Sequence, residues 1–177
     1  NDIFDCLNTV KEELIEFFPY KVLEVYGAEA DDIIAALCLE LEFDNGKTLI
    51  LSGDKDFVQL QKYTNVSQYS PITKKFVEGV DPNEYLCEHI LKGDVSDGIP
   101  NVLSPDNTFV DGLRQRPLSK KKLADILEDL NEGELLYAAS WYRNYQRNQK
   151  LIDLKESPKE LFLECLESYH KAPEIQK

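Results

Sequence analysis

The sequence predicts an α/β fold in which helices flank a parallel sheet and a helical part follows. Two observations support this fold class. Apolar residues at helical spacing alternate with short β-branched runs up to Lys92, whereas only helical patterns and loops follow Pro100. We therefore predict an α/β core in residues 1–93 and a helical lobe in residues 94–177.

The N-terminal segment is predicted to contain a helix, a strand and a second helix. Apolar residues recur at helical spacing over Asn1–Phe18, and Pro19 ends that helix. The run Tyr20–Val25 is typical of a strand, and a second helical stripe covers Asp31–Phe43. With a further strand at Lys47–Ser52, this order predicts a right-handed crossover between parallel strands.

The next segment is predicted to complete the sheet. Lys47–Ser52 contains a continuous apolar run, as expected of a buried parallel strand. A short helix is predicted over Phe57–Gln61. Weak alternation over Val66–Tyr69 and Lys75–Val77, with Pro71 between them, predicts a hairpin or an edge strand.

The rest of the chain is predicted to be helical, apart from a loop over residues 101–117. Asp81 and Pro82 begin one helix and Gly93 ends it. Three more helices are predicted over Ser119–Leu127, Glu134–Leu151 and Ser157–Tyr169. The predicted helix Glu134–Leu151 carries the aromatic residues Tyr137, Trp141, Tyr142 and Tyr145. Their helical spacing is more typical of a core than of a base-stacking surface.

The composition sets limits on the class of protein. With 33 acidic and 20 basic residues the formal charge is −13, so nucleic-acid binding would need local clusters of Lys and Arg. Four cysteines without a CxxC pair predict reduced thiols and a cytoplasmic location. His89 and His170 lack metal-ligand spacing and are interpreted as ordinary helix-surface residues. No apolar run is long enough to span a bilayer.

Three acidic clusters lie at the ends of predicted strands and helices, within Gly27–Asp32, Ser52–Asp56 and Gly93–Pro100. They supply seven carboxylates: Glu29, Asp31, Asp32, Asp54, Asp56, Asp94 and Asp97. Carboxylates held close together repel one another, and their pKa values rise unless a cation binds. Oxygen ligands suit Mg²⁺ or Mn²⁺. The clusters therefore predict a site for two divalent ions at the edge of the sheet, where ligands bind in open α/β folds.

Each acidic or basic cluster also has a purely structural interpretation. Asp31 and Asp32 would favour a helix start, which explains one of them well, and Asp54 and Asp56 would form a turn or a helix cap. The lysines Lys120, Lys121 and Lys122 oppose the dipole at the start of a predicted helix. They therefore suggest a bound anion such as a backbone phosphate, or else a solvated helix start.

Three motifs in this order, GAEADDIIA, SGDKDFVQL and LKGDVSDGIPNV, resemble the 5′-nuclease (flap endonuclease) family and most of all its phage-type ribonuclease H members. The resemblance covers roughly residues 20–130. It implies a PIN-like α/β core, a helical arch and a helix–three-turn–helix lobe. It also implies two Mg²⁺ or Mn²⁺ ions, with Glu29, Asp31 and Asp32 around the first. The ligands around the second would be Asp54, Asp56, Asp94 and Asp97.

The resemblance further implies an activity and partners. The activity would be 5′-to-3′ hydrolysis of phosphodiester bonds in RNA–DNA and DNA duplexes and flaps, as in RNA primer removal during replication. All the carried-over carboxylates except Asp32 would be catalytic, through metal. A monomer working with a single-strand binding protein and a sliding clamp, away from membranes, would fit the family. The candidate phosphate contacts are Lys120, Lys121, Lys122, Arg114 and Arg116.

The sequence also departs from the family pattern in two places. A longer loop beginning at Asn101 replaces the Gly-rich hairpin that carries a potassium ion in family members, which puts potassium binding in doubt. The family's first strand, with an early metal-binding Asp, and its basic arch have no counterpart before Asn1. We therefore expect this stretch alone to cleave poorly or not at all.

Two other functions remain open at this point. A non-catalytic relative that only binds branched DNA would keep the fold without the chemistry. An acidic α/β interaction domain with capped helices would show no effect of metal on its melting temperature, whereas metal ligands predict a rise.

Overall fold

The computed structural model describes residues 2–43, 46–132 and 139–173. Contacts divide the chain into two compact units, one formed by residues 1–40 with residues 158–177 and the other by residues 41–157. The predicted boundary between an α/β core (residues 1–93) and a helical lobe (residues 94–177) stays a prediction.

The first unit is helical. It contains α1 (Asp2–Phe17), most of α2 (Ala30–Phe43) and α6 (Lys159–Lys171), all close to the predicted bounds. Its core lies between α2 and α6, where Ile33, Ala36 and Cys165 are buried and Leu23 and Val25 pack against them. The predicted strand at residues 20–25 is wrong, because this segment pairs with no strand of the described chain. Its apolar side chains are instead covered by helices, so it needs no strand partner.

The second unit contains a three-stranded sheet of β1 (Thr48–Leu51), β2 (Val66–Ser70) and β3 (Lys75–Phe76), in that order. The strands β1 and β2 are parallel, with Thr48 opposite Val66, whereas β2 and β3 form an antiparallel hairpin as predicted. A 3-10 helix, Asp56–Lys62, joins the parallel pair and buries Phe57, Val58 and Leu60. The predicted crossover from residues 20–25 to the strand at Lys47–Ser52 is therefore wrong. The parallel connection instead runs from β1 through the 3-10 helix to β2.

The strand β1 is buried on one face only. Ile50 is buried, but Leu49 and Leu51 are 51% and 66% exposed. The prediction of a fully buried strand is wrong for this reason: within the described residues no element covers the second face.

Three helices complete the second unit: α3 (Pro82–Lys92), α4 (Lys120–Glu132) and α5 (Tyr142–Ile152). Leu91, Val102, Ile126 and Trp141 form a shared core, against which Tyr142 and Tyr145 pack, so these aromatic residues belong to the core as predicted. The predicted helix over Glu134–Leu151 begins later, at Tyr142. Residues 133–138, including Tyr137, lie outside the described residues.

Polar side chains of α5 hold the loop that follows the third acidic motif. Asn148 Nδ2 donates to the carbonyls of Ile90 and Pro100, at 2.8 and 2.9 Å. Asn144 Nδ2 donates to the carbonyls of Val102 and Ser104. Because these bonds satisfy backbone acceptors of an irregular segment, the loop is fixed without regular secondary structure.

The four cysteines are free thiols, and Cys38 and Cys165 are buried. Burial raises the pKa of the Cys38 thiol to about 11. Across the described ranges, no helix is both long and apolar enough to cross a membrane.

Candidate metal centre

The second acidic motif forms a tight turn just after β1. Ser52 Oγ accepts a hydrogen bond from the Asp54 N–H, and Asp54 Oδ1 accepts one from the Asp56 N–H, both at 3.1 Å. This turn places Asp54 beyond the carboxyl end of a parallel strand and Asp56 at the start of the 3-10 helix. Local capping thus accounts for one oxygen of Asp54, as the structural interpretation predicted.

The third acidic motif is a closed loop at the end of α3. The Ile99 N–H donates to the Asp94 carbonyl at 2.6 Å, and Asp94 Oδ1 accepts from the Ser96 N–H at 2.8 Å. Gly93 lies at φ 68°, and a Cβ there would be 2.3 Å from the Ile99 carbonyl oxygen. Only glycine allows the chain to turn this closely.

His89 joins the second and third motifs. Its Nε2 lies 3.2 Å from Asp94 Oδ2, and its Nδ1 lies 3.4 Å from Asp56 Oδ1. The Nδ1 contact lacks hydrogen-bond geometry, so this buried nitrogen has no hydrogen-bond partner within the described chain. The interpretation of His89 as a helix-surface residue is therefore wrong: only 13% of its side chain is exposed. His170, by contrast, is largely exposed, 3.6 Å from Glu40.

The four carboxylates of these two motifs share one electrostatic environment. Partial burial raises the pKa of Asp56, His89 opposes this rise, and the charges of Asp54, Asp94 and Asp97 add to it. The pKa of Tyr85 is also raised, first by its own burial and then by the charges of Asp56, Asp54 and Asp94. The described residues offer these carboxylates no Lys or Arg ion pair. The cluster therefore carries negative charge that no Lys or Arg ion pair of the described chain offsets.

Asp94 differs from Asp56 because it is well hydrogen-bonded. Bonds from the Ser96 hydroxyl and from the N–H groups of Ser96 and Asp97, together with His89, lower the pKa of Asp94 despite partial burial. The hydrogen bonds of Asp94 thus favour its ionised form, whereas burial and the neighbouring carboxylates disfavour the ionised form of Asp56.

The donor set fits a hard divalent ion, although the ligands are not preassembled. Oxygen atoms of carboxylates are the ligands that Mg²⁺ and Mn²⁺ prefer. However, no three His, Cys, Asp or Glu side chains within the described ranges are arranged to hold one ion directly. Asp54 Oδ1 and Asp94 Oδ1 are engaged by backbone N–H groups, so an ion here would be held partly through water or after side-chain rotation.

The first acidic motif lies in the helical unit, at the start of α2. Asp32 Oδ2 accepts a hydrogen bond from the Glu29 N–H at 3.0 Å, which caps the helix. Glu29 is exposed, while Asp31 and Asp32 are partly buried. Helix capping, the structural interpretation of this motif, thus explains Asp32. It gives no role to the exposed side chain of Glu29.

The predicted phosphate contacts are all on the surface. Lys120, Lys121 and Lys122 form the first turn of α4, where Ser119 Oγ accepts from the Lys122 N–H as predicted for a cap. Arg114 and Arg116 are exposed in the loop before it. No carboxylate of the described residues forms an ion pair with any of the five.

Arg143 and Arg147 on α5 are different, because both bind Asp106. Arg147 also donates to the Pro100 carbonyl at 2.8 Å. Their charge is thus used to hold the loop.

Sequence reasoning missed His89 and the buried Gln68. The position of His89 in the sequence shows no metal-ligand spacing, because its partners Asp56 and Asp94 lie outside the helix that carries it. The polar Gln68 within the alternating β2 pattern was a signal, since a glutamine on a buried strand face needs a specific partner.

Comparisons with known proteins identify relatives. Residues 2–89 match the family described as 5′-3′ exonuclease, N-terminal resolvase-like domain, and residues 82–176 match T4 RNase H, C terminal. Ribonuclease H of Enterobacteria phage T4 is 36% identical over 88% of this chain and 52% of its own length. The 5′-3′ exonuclease of Buchnera aphidicola (Schizaphis graminum) is 32% identical over 85% of this chain and 52% of its own length. The chain thus spans about half the length of these curated relatives.

A crystal structure of T5 D15 protein co-crystallized with metal ions shares the fold. Its TM-score is 0.61 at 17% identity, over 96% of this chain and 70% of that chain. The predicted α/β, PIN-like fold class is thereby confirmed.

Proposed function

Because this chain belongs to the 5′-3′ exonuclease and T4 RNase H family, we propose that it is part of a divalent-metal-dependent nuclease. The observation that carries the proposal is the group of four carboxylates from two motifs that meet around His89. Burial raises the pKa of Asp56 most, and the charges of Asp54, Asp94 and Asp97 add to the rise. No Lys or Arg of the described chain forms an ion pair with these carboxylates, and a bound cation would relieve their repulsion.

In the proposed function, Asp54, Asp56, Asp94 and Asp97 would hold one Mg²⁺ or Mn²⁺ ion, and Glu29, Asp31 and Asp32 of the helical unit would hold another. Divalent ions supply an activated water and neutralise charge on the phosphoryl group. The chain's own residues hold the ions and orient the substrate. The hydrogen bonds that lower the pKa of Asp94 favour its ionised form, which is the form that would bind a divalent ion.

We propose that residues 94–177 bind the nucleic acid. Lys120, Lys121 and Lys122, with Arg114 and Arg116, supply positive charge without carboxylate partners in the described chain. Contacts to phosphates position a duplex without reading its sequence. This suits 5′-to-3′ hydrolysis of RNA–DNA and DNA duplexes and flaps, in which structure rather than sequence selects the substrate. A role in primer removal, with replication proteins as partners, follows from the family and is part of the proposal.

A calorimetric titration with Mn²⁺ tests the proposal. We expect the unaltered chain to bind Mn²⁺ in the micromolar to millimolar range, and the double variant D56N/D94N to lose this heat. The matched control is D125N/D129N, which removes two charges from α4 outside the three motifs and should bind Mn²⁺ as before. The absence of Mn²⁺ uptake by the unaltered chain would overturn the proposal.

A second function is a branched-DNA-binding protein without cleavage. The lack of three preassembled ligands in the described residues favours it. The two functions are separated by incubating the chain with a 5′-flap DNA. A binder without a metal site retards the flap equally with Mn²⁺ or with EDTA. A nuclease site retards it more strongly with Mn²⁺, because bound ions offset the repulsion between the carboxylates and the phosphates, and this readout does not need the stretch to cleave.

A further inference from the structure

The strand β2 buries polar side chains where apolar ones would be expected. Val66, Gln68 and Ser70 share its buried face, and Gln68 and Ser70 are only 1% and 4% exposed. Burying an amide costs free energy unless its hydrogen bonds are restored. A buried glutamine here is therefore retained for what it binds.

Gln68 binds the backbone of the turn that carries the second acidic motif. Its Nε2 donates to the Ser52 carbonyl at 3.0 Å and to the Asp54 carbonyl at 2.5 Å. Its Oε1 accepts from Gln61 Nε2 at 3.1 Å, on the 3-10 helix that begins at Asp56. The amide nitrogen of one carboxamide thus binds both ends of the turn Ser52–Asp54, and its oxygen binds the 3-10 helix that follows the turn.

Ser70 brings the turn still closer to the strand. A Cβ at Gly53 would lie 3.1 Å from Ser70 Oγ, which is tighter than ordinary van der Waals contact. The absence of a side chain at Gly53 therefore lets the turn lie against β2. Gln68 therefore binds the segment Ser52–Asp54, and Ser70, the next residue on the same strand face, lies close to its middle residue.

We propose that Gln68 is a positioning residue for metal binding, which holds the turn so that Asp54 and Asp56 stay beside Asp94. This inference rests on the proposed function. The four carboxylates repel one another, so an unrestrained turn would move its two away in the absence of metal. The Gln68 carboxamide opposes this movement through backbone carbonyls, without touching a carboxylate. Residues that orient metal ligands in this way typically change metal affinity about 10–100-fold when substituted.

The chain offers a matched control in Gln59. Gln59 is also 1% exposed and also binds backbone at both ends of its carboxamide, donating to the Ile152 carbonyl and accepting from the Leu154 N–H. It does not bind the acidic turn. Q59M and Q68M each remove the carboxamide bonds of a buried glutamine, two at Gln59 and three at Gln68, with little change in volume.

The experiment measures the melting temperature without metal and the Mn²⁺ dissociation constant by calorimetry. We expect Q68M and Q59M to lower the metal-free melting temperature by similar amounts. Q68M alone should weaken Mn²⁺ binding, by about tenfold. Equal Mn²⁺ affinity in the two variants would overturn the inference and leave the proposed function intact. If the unaltered chain binds no Mn²⁺, the proposed function fails and the inference fails with it.

A second pair of variants tests the inference if Q68M does not fold. G53A should weaken Mn²⁺ binding, because its new Cβ pushes the turn away from Ser70 Oγ. G53A/S70A removes that oxygen and should restore affinity to that of S70A alone. Unchanged affinity in G53A, or no recovery in the double variant, would show that the position of the turn does not control metal binding.

Discussion

His89 and Asp94 stand five residues apart at the end of α3, and their side chains meet at 3.2 Å. The same imidazole lies 3.4 Å from Asp56, so one residue contacts both acidic motifs of the sheet unit. Within the described chain it is the only basic side chain at ion-pair distance from these carboxylates. His89 therefore joins the two acidic motifs.

We predict that His89→Ala lowers the metal-free stability by about 1–2 kcal/mol, because the Asp94 hydrogen bond is lost and the carboxylates repel more freely. Saturating Mn²⁺ should recover most of this loss. Thermal melts with and without Mn²⁺ measure both the loss of stability and its recovery. His170→Ala, at an exposed site, is the control and should change neither. A loss that Mn²⁺ does not recover would mean that His89 acts only in packing.

Asp56 gives a pH dependence with a defined sign. Its pKa is raised in the folded state, so its contribution to stability is present below the unfolded pKa and is lost as pH rises through the folded value. Asp94 acts in the opposite sense, since its lowered pKa gives stability above the unfolded pKa that is lost as pH falls.

Asp56→Asn should therefore raise the metal-free melting temperature at pH 7 and change it little near pH 4. Asp94→Asn should lower it at pH 7. Both variants should lose the stabilisation that Mn²⁺ provides. Melts at the two pH values check these signs, and a destabilised D56N at pH 7 would contradict the repulsion that burial and the neighbouring charges impose.

Local signals predicted much of this architecture. Asp81 caps α3 through bonds to the N–H groups of Asn83 and Glu84, and Ser119 caps α4, as their positions in the sequence indicated. Such caps depend on residues within one turn, so the sequence carries them directly.

Features that depend on distant partners were not predictable in this way. The segment Tyr20–Val25 has strand composition, but helices cover its apolar residues and no strand pairs with it in the described chain. His89 and Gln68 acquire their roles from residues that lie outside their own elements. Periodicity indicates which face of an element is buried, and it does not indicate which backbone group a buried polar side chain will bind.

Gly93 and Gly98 offer a sharp comparison of two positive-φ glycines in one loop. Gly93→Ala should cost more than about 2 kcal/mol, because it combines backbone strain with a Cβ 2.3 Å from the Ile99 carbonyl oxygen. Gly98→Ala should cost only about 1 kcal/mol, because its φ is 73° but nothing lies within 4 Å. Urea unfolding measures both. Equal costs would mean that the close approach at Gly93 relaxes freely.

Asp106 forms ion pairs with both arginines of α5, Arg143 and Arg147. Asp106→Ala should release Arg143, which is 76% exposed, and remove one negative charge. Because exposed ion pairs contribute little to stability, we expect a small loss in melting temperature. The affinity for duplex DNA should rise and depend more steeply on salt. Glu164→Ala, on α6, removes an equal charge and is the control; an equal gain in affinity there would point to net charge alone.

The three lysines at the start of α4 should show opposite effects on stability and binding. Their charges oppose the dipole at a helix start, so K120A/K121A/K122A should stabilise the chain by about 0.3–1 kcal/mol per residue. If all three contact phosphates, the slope of log affinity against log salt should fall by about 2.7 for duplex DNA, or about 0.9 per lysine. If these lysines are only solvated, the triple variant should be more stable than the unaltered chain, and its slope of log affinity against log salt should not change. A rise in melting temperature together with a smaller slope therefore assigns the lysines to phosphate binding, since a helix-start effect alone cannot change the number of counterions released.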